Sequence, residues 1–466
     1  MLVLLYTSVK SAALGVLSPT PVAELAGYET FIRNKFLNRS AKNSTGQKLC
    51  YATGKVGEKV DEVAFNTRYS LNKMFVTTTR NYASRFDTNN FRSNYQVSEE
   101  AQKLLERGSS YILENHTIPI AGVNHCIIPQ VFSQSTVDAS AILAKLSRRS
   151  DLLFKYQELK DFSTQIDDTE PDIYWIDFLG YESDGNFFKT IHYIKDVSKT
   201  HFTRLLKTFQ LVHRELKEVN GIQWDEVMSA GKNHSLSFNL FTFYGLIPLR
   251  KDKEKKNEAL TLFKAILEQR KISSQKLFEH YRELILCHRF ERYRSYTNVY
   301  ANNEFDFAVR NATYQYLAIF QVLTRLNLLK NMEEKISTSE IDIPAGEFYQ
   351  QQVELFFTKM AYSDAQKALF YLGRTLNAVA YAQVKKEHAS KPILEKVNFN
   401  GLDNRAIMRL RNDLMEKTKQ YRIYDKTEFL LSQFTQYYNP NEKKISPEEA
   451  LFFLLSGYSF RLKSNA

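Results

Sequence analysis

The sequence predicts an α+β chain, with a mixed N-terminal body of antiparallel β-hairpins and packed helices followed by a C-terminal α-helical bundle. Three observations carry this. Two strand-like runs, residues 173–179 and 187–194, flank Ser183-Asp184-Gly185-Asn186, and Asp-Gly between apolar runs favours the positive φ angles of a type I′ hairpin turn. From Lys251 onward, apolar residues recur almost wholly at helical spacing. The 466 residues include only 16 Gly and 10 Pro, roughly half or less of the usual shares of about 7% and 5%, which excludes fibrous and low-complexity chains.

Residues 1–96 mix short apolar runs with basic and aromatic residues and show no long helical period. The opening Leu2-Val3-Leu4-Leu5-Tyr6 has no basic stretch before it and breaks at Lys10, Ser11 and Pro19. It reads as a buried helix or strand rather than a signal peptide. No uncharged apolar run of about 18 residues follows, so no membrane span is expected. Cys50, Cys126 and Cys287 lie far apart with no Cys-x-x-Cys pair, which fits a reducing cytoplasm. Ser98 is placed to cap a helix opened by Glu99 and Glu100, with Leu104, Leu105, Ile112 and Leu113 on its buried side. Residues 117–132 are β-like, interrupted by Pro119, Gly122 and Pro129, and 139–160 read as a helix. After the hairpin come a helix over 201–218 and a strand-like stretch over 235–249, where Leu236, Phe238, Leu240 and Phe241 lie near period two.

Helical spacing then predicts helices over 257–270, 273–295 and 305–330. Residues 336–346, with Ser337, Thr338, Ser339 and Pro344, read as a linker. Further helices are expected over 347–361, 363–388, 402–420, 427–437 and 447–461. Ser446-Pro447-Glu448-Glu449 opens the last with an N-cap serine, a proline in the first turn and a glutamate three residues on. The domain organisation is therefore a body over 1–335, helical from about 251, the linker 336–346, and a helical bundle over 347–466.

Catalytic chemistry is hard to assemble from this chain. Phosphate-binding glycine loops, a G-x-S-x-G elbow and an H-E-x-x-H helix are all missing from the sequence. His116, His125 and Cys126 fall within eleven residues, but structural zinc asks for about four spaced ligands, so these read as core histidines beside a buried thiol. Asp167, Asp168 and Glu170 precede Pro171 in a polar turn and read as solvated acids. No catalytic residue, metal or cofactor is expected, and the chain is not read as an enzyme.

Binding features are stronger. Lys and Arg number 63 against 52 Asp and Glu, a net charge of +11 with 27 Tyr and 33 Phe. A pI near 9.2 makes nucleic acid a reasonable partner, although a proteome rich in Lys, Asn and Tyr would show the same balance. Between residues 68 and 95, Arg68, Lys73, Arg80, Arg85 and Arg92 interleave with Tyr69, Phe75, Tyr82, Phe86, Phe91 and Tyr95. Asn94 and other asparagines lie among them, and Asp87 is the only acid. Arginine can engage phosphate or guanine, asparagine can read adenine, and rings can stack on bases. An ordinary sheet edge with core rings and solubilising cations fits the same pattern. A second basic face is expected in the bundle. Ile407, Leu410, Leu414 and Tyr421 share the core side of a helix, whereas Arg405 and Arg409 stack one turn apart on another side, with Arg411 and Lys419 nearby. Lys385, Lys386 and Lys391 mark the preceding helix end. Such a face suits a phosphate backbone, and equally a solvated helix surface.

Several segments together resemble the large subunit of type I-B CRISPR interference complexes (Cascade). They are Phe370-Tyr371-Leu372-Gly373-Arg374-Thr375-Leu376 with Tyr381-Ala382-Gln383, the stretch from Lys391-Pro392-Ile393 to Asn400-Gly401-Leu402, and the ending from Ser446-Pro447-Glu448-Glu449 to Ser456-Gly457-Tyr458. Upstream, Tyr95-Gln96-Val97-Ser98-Glu99-Glu100-Ala101, Ile120-Ala121-Gly122-Val123-Asn124 and Ile127-Ile128-Pro129 belong to the same resemblance. It is strongest over 362–460 and patchy over 46–250. The resemblance implies a non-catalytic subunit that helps recognise the protospacer-adjacent motif on target double-stranded DNA, assists unwinding and presents the R-loop to a separate helicase-nuclease. The implied partners are CRISPR RNA, target DNA and other Cascade subunits, with no membrane. It also implies a C-terminal portion similar to the small subunit, which can be made separately from an internal start; Met332 and Met360 are the candidates. The family often carries a cysteine-based zinc motif. Here Cys50-Tyr51-Ala52-Thr53 stands without a second cysteine, and the region ahead of it is short. An RNA-guided transposition system, in which the same body recruits transposition proteins, is the alternative setting, and a nuclease the alternative class.

Overall fold

The computed structural model describes residues 7–25, 27–32, 48–57, 60–62, 71, 96–131, 138–155, 174–183, 188–218, 224–228, 236–252, 257–301, 304–330, 348–386, 391–440 and 445–461. The fold is α+β, as the patterning predicts, and the chain divides into two compact units. One comprises Met1–Tyr111 with Ser183–Lys189, and the other Ile112–Glu182 with Thr190–Ala466.

In the first unit, short strands pair locally. β1 (Ser8–Ser11) and β2 (Val16–Pro21) form an antiparallel hairpin that turns through Gly15 at φ 70°. α1 (Tyr28–Ile32) follows. β3 (Lys48–Leu49) pairs with β4 (Val56–Gly57), and β5 (Val60–Glu62) with β6 (Gln96–Ser98), both antiparallel. α2 (Glu99–Asn115) starts where Ser98 predicts: its Oγ accepts the Ala101 N–H at 3.3 Å. Cys50, Val60, Val97 and Ala101 make a small core with Leu105 against it. Leu104, expected on the buried side, is exposed. The apolar start at 2–6 lies outside the described residues.

The second unit is built on a four-stranded sheet in the order β10-β9-β8-β7. β7 (Thr117–Ile120) and β8 (Val123–Val131) are joined by Ala121 and Gly122 at φ 49° and 81°, the two positive values a two-residue type I′ turn needs. β9 (Tyr174–Ser183) runs antiparallel to β8, pairing Leu179 with Cys126 and Asp177 with Ile128. β10 (Phe188–Ser198) is the far edge. Both hairpin strands form as predicted, and their turn at 184–187 lies outside the described residues. Asp177 is buried mid-sheet, where it accepts hydrogen bonds from Gln130, the Tyr193 hydroxyl and the Asp196 N–H. A buried carboxylate is stable only when so supplied. α3 (Ala139–Phe154), capped by Asp138, packs on β7 and β8.

Helices build the rest. α4 (Lys199–Glu218), α5 (Trp224–Val227), α6 (Leu240–Tyr244), α7 (Glu258–Leu267), α8 (Ser274–Arg289) and α9 (Phe305–Arg325) precede α10 (Phe348–Lys359), α11 (Asp364–Lys385), α12 (Asn404–Gln420), α13 (Tyr424–Tyr437) and α14 (Pro447–Ser459). A parallel pair, β11 (Ile272–Ser273) and β12 (Leu329–Lys330), ties the start of α8 to the end of α9. The strand expected over 235–249 is instead the short helix α6. Asn239 accepts the Thr242 N–H while the Thr242 hydroxyl accepts the Asn239 N–H, a reciprocal cap that starts a helix. Leu240 and Phe243 then face the core three residues apart, the spacing of a helix face and not of a strand, while Phe241 between them is exposed.

One apolar core runs from Ile118 to Phe460. α9 is its axis, buried on nearly every side. Its polar tips are spent inside: Tyr314 donates to the Ser459 carbonyl, Tyr316 to the Leu246 carbonyl, and Thr313 pairs with Tyr281. Phe278 on α8 and Phe320 on α9 pack against Phe452 of α14 at 5.4 and 5.7 Å between centroids. The linker expected at 336–346 lies outside the described residues, and the helices on either side of it share this core.

Glycine is scarce, and the helix ends show what replaces it. Gln269, Glu291, Asn327, Ala361 and Arg422 all adopt positive φ just past a helix. In each case the next N–H reaches back to a carbonyl five residues earlier, as Arg292 does to Cys287 at 3.0 Å and Tyr362 to Phe357 at 3.0 Å. This is the Schellman cap, usually given to glycine. The helix expected to continue to 295 therefore ends at Arg289, with a 3-10 turn at Tyr293–Ser295.

Candidate nucleic-acid interface

The segment carrying Lys73, Arg80, Arg85, Arg92 and Asn94 lies outside the described residues, so the geometry here concerns the C-terminal helices.

α11 and α12 bring their C-terminal ends together. Gln383 donates to the Tyr421 hydroxyl at 3.5 Å, and its side-chain oxygen accepts the Ile393 N–H at 3.1 Å. Three exposed lysines gather there, each over a tyrosine ring: Lys385 on Tyr381 at 4.9 Å, Lys386 on Tyr421 at 5.2 Å and Lys419 on Tyr424 at 5.8 Å. Cations at helix C-termini also answer the helix dipole, which is the bland part of their role. Tyr381 keeps 61% of its surface exposed and Val384 beside it 47%, so this end presents a ring and apolar surface among the charges.

α12 carries the arginines. With about 100° per residue, Arg405, Arg409 and Lys419 fall within roughly 80° on the solvent side, spread over about 21 Å of helix axis. Glu416 lies on the same face between them, leaving three cations against one acid. Ile407, Leu410 and Leu414 are buried on the other side, as their spacing predicts. Arg411 does not join the line. It sits about 200° round from Arg409, is half-buried, and donates to the Asn412 side chain at 3.1 Å. Of the five residues expected here, the structure leaves Lys385, Lys386, Arg405 and Arg409 exposed, with no carboxylate within ion-pair distance among the described residues. Lys391 belongs elsewhere: it pairs with Asp306, whose other oxygen accepts the Tyr458 hydroxyl at 2.8 Å.

The recognisable motifs are packing devices. Arg374 lies over Tyr349 and Phe460 and donates to the Tyr349 hydroxyl and the Phe460 carbonyl. A Cβ on Gly373 would fall 1.9 Å from the Leu454 carbonyl oxygen, and one on Gly457 1.9 Å from that of Phe370. Gly401 turns at φ 126° against Pro447. Glu448 clamps α14 to Arg282 and Gln275 of α8, and Glu449 accepts from Gln366 of α11. Ser446 caps α14 as predicted, accepting the Glu449 N–H.

His116 and His125 are core residues, as are His201 and His213. His125 joins its Nδ1 to the Val123 carbonyl and its Nε2 to His192 at 3.3 Å, and burial holds both rings down to about 4. Burial pushes the neighbouring Cys126 thiol up to about 12. Among the described residues, no group of three or more His, Cys, Asp or Glu is placed to hold a metal ion, and no helix is long and apolar enough to cross a membrane.

The turn after α8 went unnoticed in the helical pattern. Arg289, Phe290, Arg292, Tyr293 and Arg294 put three arginines and two rings into six residues with one acid, Glu291. That density was the available signal, hidden by reading the stretch as helix interior.

No curated protein matches the chain. Residues 47–197 match the central domain of CRISPR-associated protein TM1802, and residues 238–465 match its C-terminal domain. The second match begins well ahead of 336–346 and takes in α7, α8 and α9, the helices that share a core with α14. Together the two matches span most of the sequence, and they associate it with CRISPR defence. The chain belongs to the CRISPR-associated protein TM1802 family.

Proposed function

We propose that this chain is the non-catalytic large subunit of a type I-B RNA-guided surveillance complex acting in the cytoplasm. It binds target double-stranded DNA, helps recognise the protospacer-adjacent motif, stabilises the R-loop beside the CRISPR RNA and presents it to a separate helicase-nuclease. In such a division of labour guide pairing reads the sequence, while protein reads a short duplex element and backbone shape. The observation that carries the reading is the exposed line of Arg405, Arg409 and Lys419, continued by Lys385 and Lys386, on a chain of a CRISPR-associated family. A row of cations with one intervening acid holds phosphates without regard to sequence. Lys73, Arg80, Arg85, Arg92 and Asn94 are the proposed duplex-reading set.

The test is purification of the chain co-produced with the products of its neighbouring genes. A guide RNA and repeated backbone subunits should copurify. Removing two phosphate contacts with Arg405→Ala and Arg409→Ala should flatten the dependence of log affinity on log salt by about 2. Reversing charge at Arg80, Arg85 and Arg92 should weaken target-duplex binding while assembly survives. A preparation without guide RNA would remove the whole reading. Unchanged affinity and salt slope would remove the assignment of the α12 face.

A further inference from the structure

A cleft of about 380 Å³ lies where the end of α8, the start of α9 and the turn Pro392–Lys396 meet. It is lined by Arg289, Glu304, Phe305, Asp306, Lys391, Leu394 and Glu395. That volume is at the small-molecule end of binding-pocket sizes. Asp306 and Lys391 are committed to each other and to Tyr458. Arg289 is held differently: its guanidinium lies over both Phe305 and Phe399, 5.7 and 5.6 Å from the centroids, with no carboxylate within ion-pair distance among the described residues. It is thus a fixed planar cation on an aromatic wall. The carboxylates of Glu304 and Glu395 complete the lining as acceptors.

The chain leaves this wall directly into the exposed turn already described. Phe290 is 54% exposed, with Arg292 stacked over it at 5.0 Å, and Arg294 is exposed two residues on. The Lys251 N–H donates to the Ser295 carbonyl, which brings one more exposed lysine beside the turn. Glu291 lies among Arg292, Arg294 and Lys251, and Asp252, next to Lys251, is paired with Arg250 at 2.8 Å. Rings, and arginines with no carboxylate within ion-pair distance among the described residues, suit a phosphate backbone with unstacked bases. The cleft itself holds acids that repel phosphate and accept N–H groups.

We propose that this corner is a subsite for unpaired nucleic acid. The strand backbone runs along Arg292 and Arg294, one base stacks on Phe290, and a neighbouring base enters the cleft against Arg289. Carboxylate acceptors favour a base with an exocyclic amine, as cytosine offers at N4, over thymine or uracil, which have none. The subsite deepens the nucleic-acid reading above and rests on it.

Fluorescence anisotropy with labelled oligodeoxycytidylate and oligothymidylate, and their RNA equivalents, tests this on the full chain. The wild type should bind the cytosine oligomers more tightly. Phe290→Ala with Arg292→Ala, both surface changes, should weaken single-strand binding roughly tenfold, the scale of one lost base stack, with the thermal midpoint unchanged. Glu304→Gln with Glu395→Gln should narrow the preference for cytosine and leave thymine binding in place. Wild-type binding that Phe290→Ala with Arg292→Ala leaves untouched would overturn the subsite alone. Equal affinity for cytosine and thymine oligomers would overturn the base-entry step. No binding of any oligomer, single or duplex, would overturn the nucleic-acid reading with it.

Discussion

Replacing Gly373 by alanine puts a methyl carbon where the α14 backbone now lies. Its Cβ would sit 1.9 Å from the Leu454 carbonyl oxygen and 2.8 Å from the Tyr458 nitrogen. Carbon and carbonyl oxygen in contact need about 3.3 Å, so α11 and α14 must part by about 1.4 Å. Neither neighbour is the end of a flexible side chain, and the parting loosens the packing of Phe356, Phe370 and Phe460, whose centroids lie 5.2–5.6 Å apart. Overpacking of a well-filled core costs about 1–3 kcal/mol, and backbone against backbone belongs at the top of that range. Alanine returns about 1 kcal/mol of helix propensity, which leaves a net loss of about 2 kcal/mol. Gly457→Ala meets the Phe370 carbonyl at the same 1.9 Å and should behave alike. The double variant should lose less than the sum, because the helices have already parted when the second methyl arrives. Gly108 provides the control: it is exposed within α2, and an added Cβ meets nothing within 4 Å. Gly108→Ala should therefore stabilise by about 0.5–1 kcal/mol. Urea denaturation reads all four proteins. Wild-type midpoints for the Gly373 and Gly457 variants, or strictly additive losses, would refute a crossing set by backbone contact.

Two further expectations concern stability. Glycine at Gln269, Glu291, Ala361 and Arg422, four of the five non-glycine caps at positive φ, should stabilise by about 0.5–1 kcal/mol each, because relief of a left-handed L-residue outweighs glycine's added unfolded-state entropy. Thermal melts that fall with these changes would contradict the cap assignment. Burial lowers His125 and His213 to about 4 in the folded chain, from an ordinary value near 6.5. The unfolded chain then binds more protons between pH 6.5 and 4, so stability is full above that window and drains as pH falls through it. A shift of that size is worth at most about 3 kcal/mol per histidine. Urea midpoints followed by tryptophan fluorescence should drop over this window, and His213→Gln, which keeps an acceptor for the Trp224 N–H, should lessen the drop. A flat profile between those limits would rule out the buried neutral imidazoles.

Long helices were readable from the sequence because each needs only a local pattern. The spacing of Ile407, Leu410 and Leu414 located the core side of α12, and Ser446 and Ser98 marked helix starts by chemistry carried in the cap itself. Short elements were less legible. Residues 240–244 are too few to tell a period of two from one of 3.6 when Asn239 and Thr242 decide the matter by hydrogen bonding. The end of α8 was missed because Glu291 takes a conformation usually signalled by glycine. The candidate site divided in the same way. Arg405 and Arg409 followed from helical geometry, but the pairing of Lys391 with Asp306, 85 residues away, could not.

Sequence by itself determined the types of the longer elements, the helical character after 251, the basic balance and the motifs that pointed to a CRISPR-associated family. Tertiary structure decided how the rings and charges are used. The 60 Phe and Tyr residues invited a stacking role, yet many that the structure describes fill the core around α9 and α14, where tyrosine hydroxyls find distant carbonyls. Among the described residues fewer rings stay exposed, and of these Tyr381 lies beside Lys385 and Phe290 beneath Arg292. Composition counts a ring or a charge the same wherever it lies. Only packing removes the buried ones and pairs the satisfied ones, leaving the few that can meet a partner.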